Sequence, residues 1–491
     1  MKAIRAAATV RQSLQAHSAL GLALGALLYV VCLTGTLTVF FSDFERWEQP
    51  HIDERLAYSP AQLHQAVAAA LAQQATPPDT LYLILPTATA PRLHVHISGL
   101  EDEWFVTADG ALGERLAAPW SSLVQALHVR LHLAETWGLI LVGITGIMLG
   151  ALLLSGVLAH PNLVRDAFRW RSGASGRLFQ VDLHNRIGVW GLPFALMIAL
   201  TGAFMGLAGV FFSSYAAVFH QNDREAVYDL VYGADIEPAQ DAAAPLDLGR
   251  ALQALRAREP AAEPIYIALQ NPGTPRALVE IAATLPGRLV YSEIYRFTRD
   301  GRFIDDQALA SGPVGRQLAY SVYRLHFGQF GGWLTPWLYG LLGLGLTVLC
   351  VTGVNLWITK RAHESWMHRG WIAWVWGWPL ALAGAAWTAL LGVGPWWGLM
   401  AALAFALSAS GLGPDAVALR RRLIGSLAVA LFAVLATHLA TFGYRPGNPA
   451  TGAVNGAIAL GAILAFMAWR RQQRHAATPQ PRPAGHGRAA R

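Results

Sequence analysis

The chain has 491 residues, of which 54% are apolar and only 14% charged, against a usual apolar share of about 45–50% in globular proteins. That balance argues against a wholly water-soluble protein and for an integral membrane one. The formal charge of +7 is not a nucleic-acid signal: the basic residues sit in short clusters between apolar runs, where they set membrane topology.

Lys2, Arg5 and Arg11 precede an apolar run from Ala19 to Phe41. The run exceeds the roughly 7–15 residues of a signal-peptide core and no small-residue cleavage site follows it. It is therefore expected to be a retained first span, about 17–42. The polar segment 43–130 predicts a helix from Ala61 to Gln73, strands near Thr80–Leu85, Arg92–Ile97 and Glu103–Thr107, and a turn at Ala108-Asp109-Gly110. Asp-Gly is a hairpin signal because glycine accepts the positive φ such turns require. Spans two and three follow at about 132–158 and 184–212, since crossing the hydrocarbon takes about 20 apolar residues. A second polar segment, 213–325, predicts a helix from Leu246 to Arg258 and strands near Pro264–Leu269, Arg276–Ile281 and Glu293–Thr298. Its turn, Arg299-Asp300-Gly301, matches the first. Further spans are expected at about 328–358, 371–391, 396–412, 423–443 and 451–469.

Positive charge orients these spans. Arg165, Arg169, Arg171 and Arg177 follow span two, Lys360, Arg361 and Arg369 follow span four, Arg420 to Arg422 precede span seven, and Arg470, Arg471 and Arg474 follow span eight. All fall on one side if both termini are cytoplasmic. The predicted fold is thus mainly α: a polytopic membrane helix bundle of about eight spans, N-in and C-in, with two extracytoplasmic α+β domains. Its expected divisions are 1–42, 43–130, 131–212, 213–325, 326–360, 361–470 and a disordered basic tail, 471–491. Tryptophans crowd the edges of the later spans, as interfacial belts do. Cys32 and Cys350 lie inside apolar runs and read as packing residues.

The unit span–domain–span occurs twice. His17 precedes Thr34-Gly35 by 17 residues, and His184 precedes Thr201-Gly202 by 17. Leu131-His132 and Leu325-His326 open the even-numbered spans. In the expected topology His17 and His184 share the inner face, while His132 and His326 share the outer one. Ionisable residues in membrane spans are costly and mark function, and haem iron takes two axial ligands from facing helices. The four histidines therefore predict two b-type haems, one near each face. His128, four residues from His132, is an alternate outer ligand, and His160 an alternate inner one. A single such histidine could instead rest at the headgroups. His438 is expected to be packed or hydrogen-bonded, and His94 and His96 to share a polar sheet face. Small pairs near the far span ends (Thr34-Gly35, Ser155-Gly156, Thr201-Gly202, Thr352-Gly353) would allow close helix approach or leave room for a macrocycle. No metal-ion cluster is expected.

Leu-Gln-Ala-His17 leading to Leu-Thr34-Gly35, Leu131-His132, Leu183-His184 leading to Leu-Thr201-Gly202, and Leu325-His326 with Thr352-Gly353 resemble the PepSY-associated transmembrane helix family over roughly residues 10–360. The resemblance implies that the two external segments are PepSY-like domains. It also implies a bacterial inner-membrane, di-haem reductase of ferric siderophores. The extra His128 and the four-span tail depart from the family pattern. No Gly-x-Gly-x-x-Gly unit follows a cytoplasmic strand, so the electron donor is expected to be a quinol or a cytoplasmic flavoprotein. Two other classes fit parts of the pattern: a siderophore or metal permease component, and a peptide-binding signalling or inhibitory membrane protein. Neither gives the histidines a task.

Overall fold

The computed structural model describes residues 2–100, 102–160, 162–168, 176–234, 236, 244–359, 366–413 and 415–477. Residues 471–477 of the expected disordered tail are helical, continuing a helix that starts at Pro449; the rest of that tail and Arg169, Arg171, Lys360 and Arg361 lie outside the described residues. Two compact units divide the chain, residues 1–360 and 361–491.

In the first unit, α1 (Lys2–Thr38) and α2 (Phe41–Glu48) lead to α3 (Pro60–Ala72) and to strands β1 (Thr80–Ile84), β2 (His94–Ile97), β3 (Glu103–Val106) and β4 (Leu112–Arg115). Then come α4 (Pro119–Arg130), α5 (Glu135–Ala159), α6 (Leu163–Ala167), α7 (Gly176–Trp190) and α8 (Leu192–Phe219). The second repeat continues with α9 (Arg224–Tyr232), α10 (Leu248–Arg258), β5 (Glu263–Gln270), β6 (Leu278–Thr284), β7 (Glu293–Thr298) and β8 (Phe303–Asp306). It closes with α11 (Val314–Phe327) and α12 (Leu334–Thr359). The second unit holds α13 (Trp366–Leu390), α14 (Pro395–Gly411), α15 (Ala416–Phe442) and α16 (Pro449–Ala477).

Among the described residues six helices are long and apolar enough to cross a membrane: residues 8–38 of α1, then α5, α8, α12, α15, and residues 449–474 of α16. The protein is a multi-pass membrane protein, mainly helical, with one sheet among the described residues. The third expected span is two helices, α7 and α8, broken at Gly191. Pro193 sits in the first turn of α8, where its missing N–H costs nothing. The histidine-bearing starts of the even spans also differ from expectation. α4 and α11 are separate helices that end before α5 and α12 begin, each closed by a left-handed residue (Leu131, φ 53°; Gly328, φ 68°).

The two polar segments meet in one eight-stranded antiparallel sheet, order β4-β3-β2-β1-β5-β6-β7-β8. The joint is β1 against β5, Thr80 opposite Gln270 through Ile84 opposite Tyr266. Each half follows the same local logic. Ser59 caps α3 by accepting the Gln62 N–H (3.2 Å), and Asp247 caps α10 by accepting that of Arg250 (2.8 Å), each satisfying a donor the helix start would leave open. Gly110 (φ 87°) and Gly301 (φ 78°) turn the chain after β3 and β7. A Cβ on either would strike α3 or α10, 2.6 Å from Gln65 Cβ or from the Ala251 nitrogen. β4 and β8, which sequence patterning did not anticipate, are the return strands of these turns.

One face of the sheet carries the core. Leu81, Leu83, Val95, Ile97, Ile267, Leu269, Val279 and Ile281 pack against Leu63, Ala66 and Val67 of α3 and Leu248, Leu252 and Leu255 of α10. Burying such a side chain stabilises by about 1.5–3 kcal/mol, so the shared face binds the halves together. The period-2 alternation of a strand leaves the opposite face to Tyr82, His94, His96, Glu103 and Tyr266.

Within the bundle of the first unit, α1 packs on α5 and α12, and α5 on α8. Small residues bring the backbones close: a Cβ at Gly143 would lie 2.9 Å from the Gly206 carbonyl carbon, and one at Gly25 would lie 2.5 Å from Val354. This is how apolar helices associate where lipid is as apolar as leucine. The second unit uses the same device at Gly384 and Gly398, where α13 meets α14. His438 of α15 is fully buried, with Nδ1 3.3 Å from the side-chain amide of Asn455.

Candidate functional site

Four histidines of the first unit meet in two pairs. His17 (α1) and His184 (α7) have ring centres 6.3 Å apart, with planes at 73°. His128 (α4) and His326 (α11) have ring centres 6.1 Å apart, with planes at 27°. Each pair takes one ring from each repeat. The pairs lie toward opposite ends of α1: His17 is in its first half, and His128 reaches the carbonyl of Val31. Fourteen residues of helix separate those two contacts on α1, about 21 Å at 1.5 Å per residue.

Every ring rests in a niche made by a glycine of the adjoining span in its own repeat. A Cβ added at Gly156 would lie 3.1 Å from Cε1 of His17; the same distance is 2.6 Å for Gly35 and His128, 3.3 Å for Gly353 and His184, and 3.2 Å for Gly202 and His326. The four Ser/Thr-Gly pairs thus do something more specific than bring helices together. They make room for imidazoles.

The residues around each niche also settle the tautomer. Nδ1 of His17 is 3.0 Å from the Leu152 carbonyl, and Nδ1 of His128 is 2.9 Å from that of Val31. A carbonyl only accepts, so Nδ1 carries the hydrogen. In the second repeat the acceptor is a hydroxyl: Thr352 Oγ1 lies 2.9 Å from His184 Nδ1, and Thr201 Oγ1 lies 2.9 Å from His326 Nδ1. Those hydroxyls donate their own hydrogens to Val348 O (2.9 Å) and Met197 O (2.7 Å). Their oxygens are thereby left to accept from the rings. All four histidines accordingly keep Nε2 as a lone pair, with no hydrogen-bond partner recorded for it among the described residues. A ring held through one nitrogen with the other open is the habit of a metal-ligating histidine.

Between α1, α5, α7 and α12 lies a cavity of about 300 Å³ onto which His17 and His184 open. Its walls are largely leucines and glycines, with Ser18, His160 and Asn185 as polar groups beside the two histidines, the composition of a site for a large apolar ligand with few polar anchors. A family model for the PepSY-associated TM region matches residues 14–360. The chain belongs to that family. The match takes in both histidine pairs and the whole sheet, and it ends where the first compact unit ends. An uncharacterised protein of Pseudomonas aeruginosa is 31% identical over 398 residues, covering 75% of this chain and 99% of its own length.

In this PepSY-associated protein the structure departs from the sequence expectation at one position. His132 is not brought to His326. It falls in the left-handed link between α4 and α5 (φ 55°), where its Nε2 lies 3.0 Å from the Leu123 carbonyl. His128, one turn earlier on α4, takes the place facing His326. A spacing in the sequence carries this information: His128 precedes Ser155 by 27 residues and His326 precedes Thr352 by 26, whereas His132 precedes Ser155 by only 23. His160, the inner alternate, caps α5 and lines the cavity, its buried Nδ1 without a hydrogen-bond partner among the described residues. Cys32 and Cys350 pack beside the α1–α5–α12 core.

On the face of the sheet away from α3 and α10, His94 and His96 flank Glu103, with N···O distances of 3.3 and 3.7 Å. The hydrogen bond from His94 holds the Glu103 carboxyl below its usual range. Among the described residues no group of three or more His, Cys, Asp or Glu forms a cage for a bare metal ion.

Proposed function

We propose that this chain is a di-haem membrane reductase that delivers electrons across the bacterial inner membrane to a ferric siderophore on the periplasmic side. The observation that carries the reading is the double pairing of His17 with His184 and of His128 with His326, every ring protonated at Nδ1. His17 with His184, and His128 with His326, would each hold one haem iron between facing imidazoles. The ring centres of the two pairs stand 6.3 and 6.1 Å apart, a separation that supports this assignment. Two imidazoles are a poor cage for a bare ion but complete the coordination of an iron already held by four porphyrin nitrogens. Bound there, two haems would supply one-electron steps linking the two membrane faces.

The chain's own residues prepare those places. The four glycines leave space beside each ring, Leu152 and Leu349 give the inner cavity apolar wall, and the Nδ1 acceptors fix ring orientation. The substrate class follows from the family resemblance and from chemistry. Siderophores grip ferric iron with hard oxygen donors, and Fe²⁺ ranks low in ligand affinity, so reduction is a release step. A quinol or a cytoplasmic flavoprotein would serve as donor at the His17 end.

The test is the visible spectrum and haem content of purified protein. The expected result is two haems per chain, a Soret band, and sharp reduced α and β bands. His17→Ala or His184→Ala should remove one haem, and His128→Ala or His326→Ala the other. A colourless wild-type protein would sink the reading.

A further inference from the structure

Deepening that reading and resting on it, we propose that a cluster of tyrosines beside His326 is the docking site of the ferric chelate, its phenol hydroxyls donating hydrogen bonds to the oxygens that wrap the iron. α9 contributes Tyr228 and Tyr232, α11 contributes Tyr320 and Tyr323, Tyr291 comes from the segment before β7, and Tyr266 from the uncovered face of β5. Five of the six rings, those other than Tyr266, form a connected set, Tyr228 meeting Tyr232 at 5.9 Å. Tyr232 and Tyr320 are 6.0 Å apart, Tyr320 and Tyr291 6.5 Å, and Tyr291 and Tyr323 6.4 Å. From Tyr323 two further contacts, 6.3 Å to Phe327 and 5.8 Å from there to His326, lead into the sheet-side imidazole pair. A chelate seated on the phenols is therefore linked through Tyr323 and Phe327 to the group that would reduce it.

The phenols suit an oxygen-wrapped iron. Tyr323 and Tyr228 are exposed and the other four half-buried, so the site is reachable. Burial pushes Tyr232 and Tyr320 up to about 12, and raises Tyr266 and Tyr291 as well. The hydroxyls thus stay protonated. A phenolate would compete with the siderophore for Fe³⁺ as a hard oxygen ligand; a phenol instead donates to the siderophore's oxygens. Such donation draws density away from ferric iron and favours its reduction. An extended peptide finds no such welcome here, because strand addition needs an open sheet edge and β5 is paired on both sides.

The experiment compares wild type with Tyr232→Phe/Tyr291→Phe/Tyr320→Phe, which keeps every ring and removes three hydroxyls. Binding is measured with the redox-inert gallium(III) complexes of a trihydroxamate and a tris-catecholate, and reduction with their ferric counterparts and with ferricyanide. The expected result is at least a tenfold loss of affinity, and an equal rise in KM, for one chelate class. Ferricyanide reduction and the haem spectrum should not change. Unchanged binding of both gallium complexes would overturn the docking site. Gallium binding that depends on the phenols in a protein without haem would uphold the site and overturn the reductase reading.

Discussion

His184 donates its Nδ1 hydrogen to Thr352, 2.9 Å away, and Thr352 in turn donates to the carbonyl one turn back at Val348. The hydroxyl is therefore a relay with a fixed direction, and it keeps the Nε2 lone pair of His184 open. Thr352→Val preserves the shape and removes the acceptor. The imidazole then becomes a weaker donor to iron, so the potential of the His17/His184 centre should rise, by about 59 mV for each tenfold loss of ferric preference. Outer-shell losses of this kind cost about 10–100-fold in metal affinity, so that haem should also dissociate more readily. Thr352→Ser should restore both. Thr34→Val is the matched control, because His128 leans on the Val31 carbonyl instead and the Thr34 hydroxyl points to Val30. Redox titration of the three variants decides the matter; equal shifts for Thr352→Val and Thr34→Val would refute the directional relay.

The glycine niches predict a graded series. A Cβ would approach the facing ring to 2.6 Å at Gly35, 3.1 Å at Gly156, 3.2 Å at Gly202 and 3.3 Å at Gly353. Gly35→Ala should therefore displace His128 and reduce haem content from two to about one per chain, while Gly353→Ala should be tolerated with a modest shift. Overpacking in a filled interior costs about 1–3 kcal/mol. Pyridine haemochrome content across the four alanine variants should follow the order of the distances. A flat series would mean that the glycines serve helix packing alone.

His128 and His132 separate cleanly. His128→Ala removes the ring that faces His326 and should abolish the sheet-side centre. His132→Ala removes a ring that lies against the Leu123 carbonyl in the α4–α5 link and should leave the spectrum intact, with about 0.5–1.5 kcal/mol lost with that hydrogen bond. The reverse pattern of loss would show that the α4–α5 link rearranges when haem is bound.

The sequence disclosed the repeat, three of the four facing histidines and six of the eight expected spans, because each depends on short-range pattern; the expected spans 371–391 and 396–412 are the helices α13 and α14, which are not among the six long and apolar enough to cross. Span length is set by bilayer thickness, turn position by Asp-Gly, and the His-to-Thr-Gly spacing by one helix. What it withheld depends on pairing between distant parts. β1 and β5 join segments nearly two hundred residues apart, and each strand alternates in a way that would suit an edge as well as a centre. The preference for His132 came from aligning Leu-His dipeptides, which overlooked that α4 ends at Arg130 and that a left-handed corner swings His132 away. Thr201 and Thr352 were legible as small residues but not as ring acceptors, because that role exists only once α8 meets α11 and α7 meets α12.

The α2 segment carries a pH dependence with a definite sign. Glu45 is desolvated and lies near the carboxylates of Glu103 and Glu48, with Arg92 as the opposing charge, and its carboxyl is pushed up to about 8. Glu103 stays ionised because His94 holds it down, so the repulsion on Glu45 persists at neutral pH. A raised folded-state value means the folded protein holds a proton that the unfolded chain has released. Stability from Glu45 is therefore complete below its ordinary range near 4.5 and is lost as pH climbs through about 8. Glu45→Gln carries no such proton and should lack this decline, so its melting temperature should exceed that of the parent by a few degrees at pH 9 and match it near pH 5. Thermal melts of both proteins from pH 5 to 9 test this. Parallel curves across that range would mean that Glu45 is ionised throughout and that Arg92 outweighs its burial.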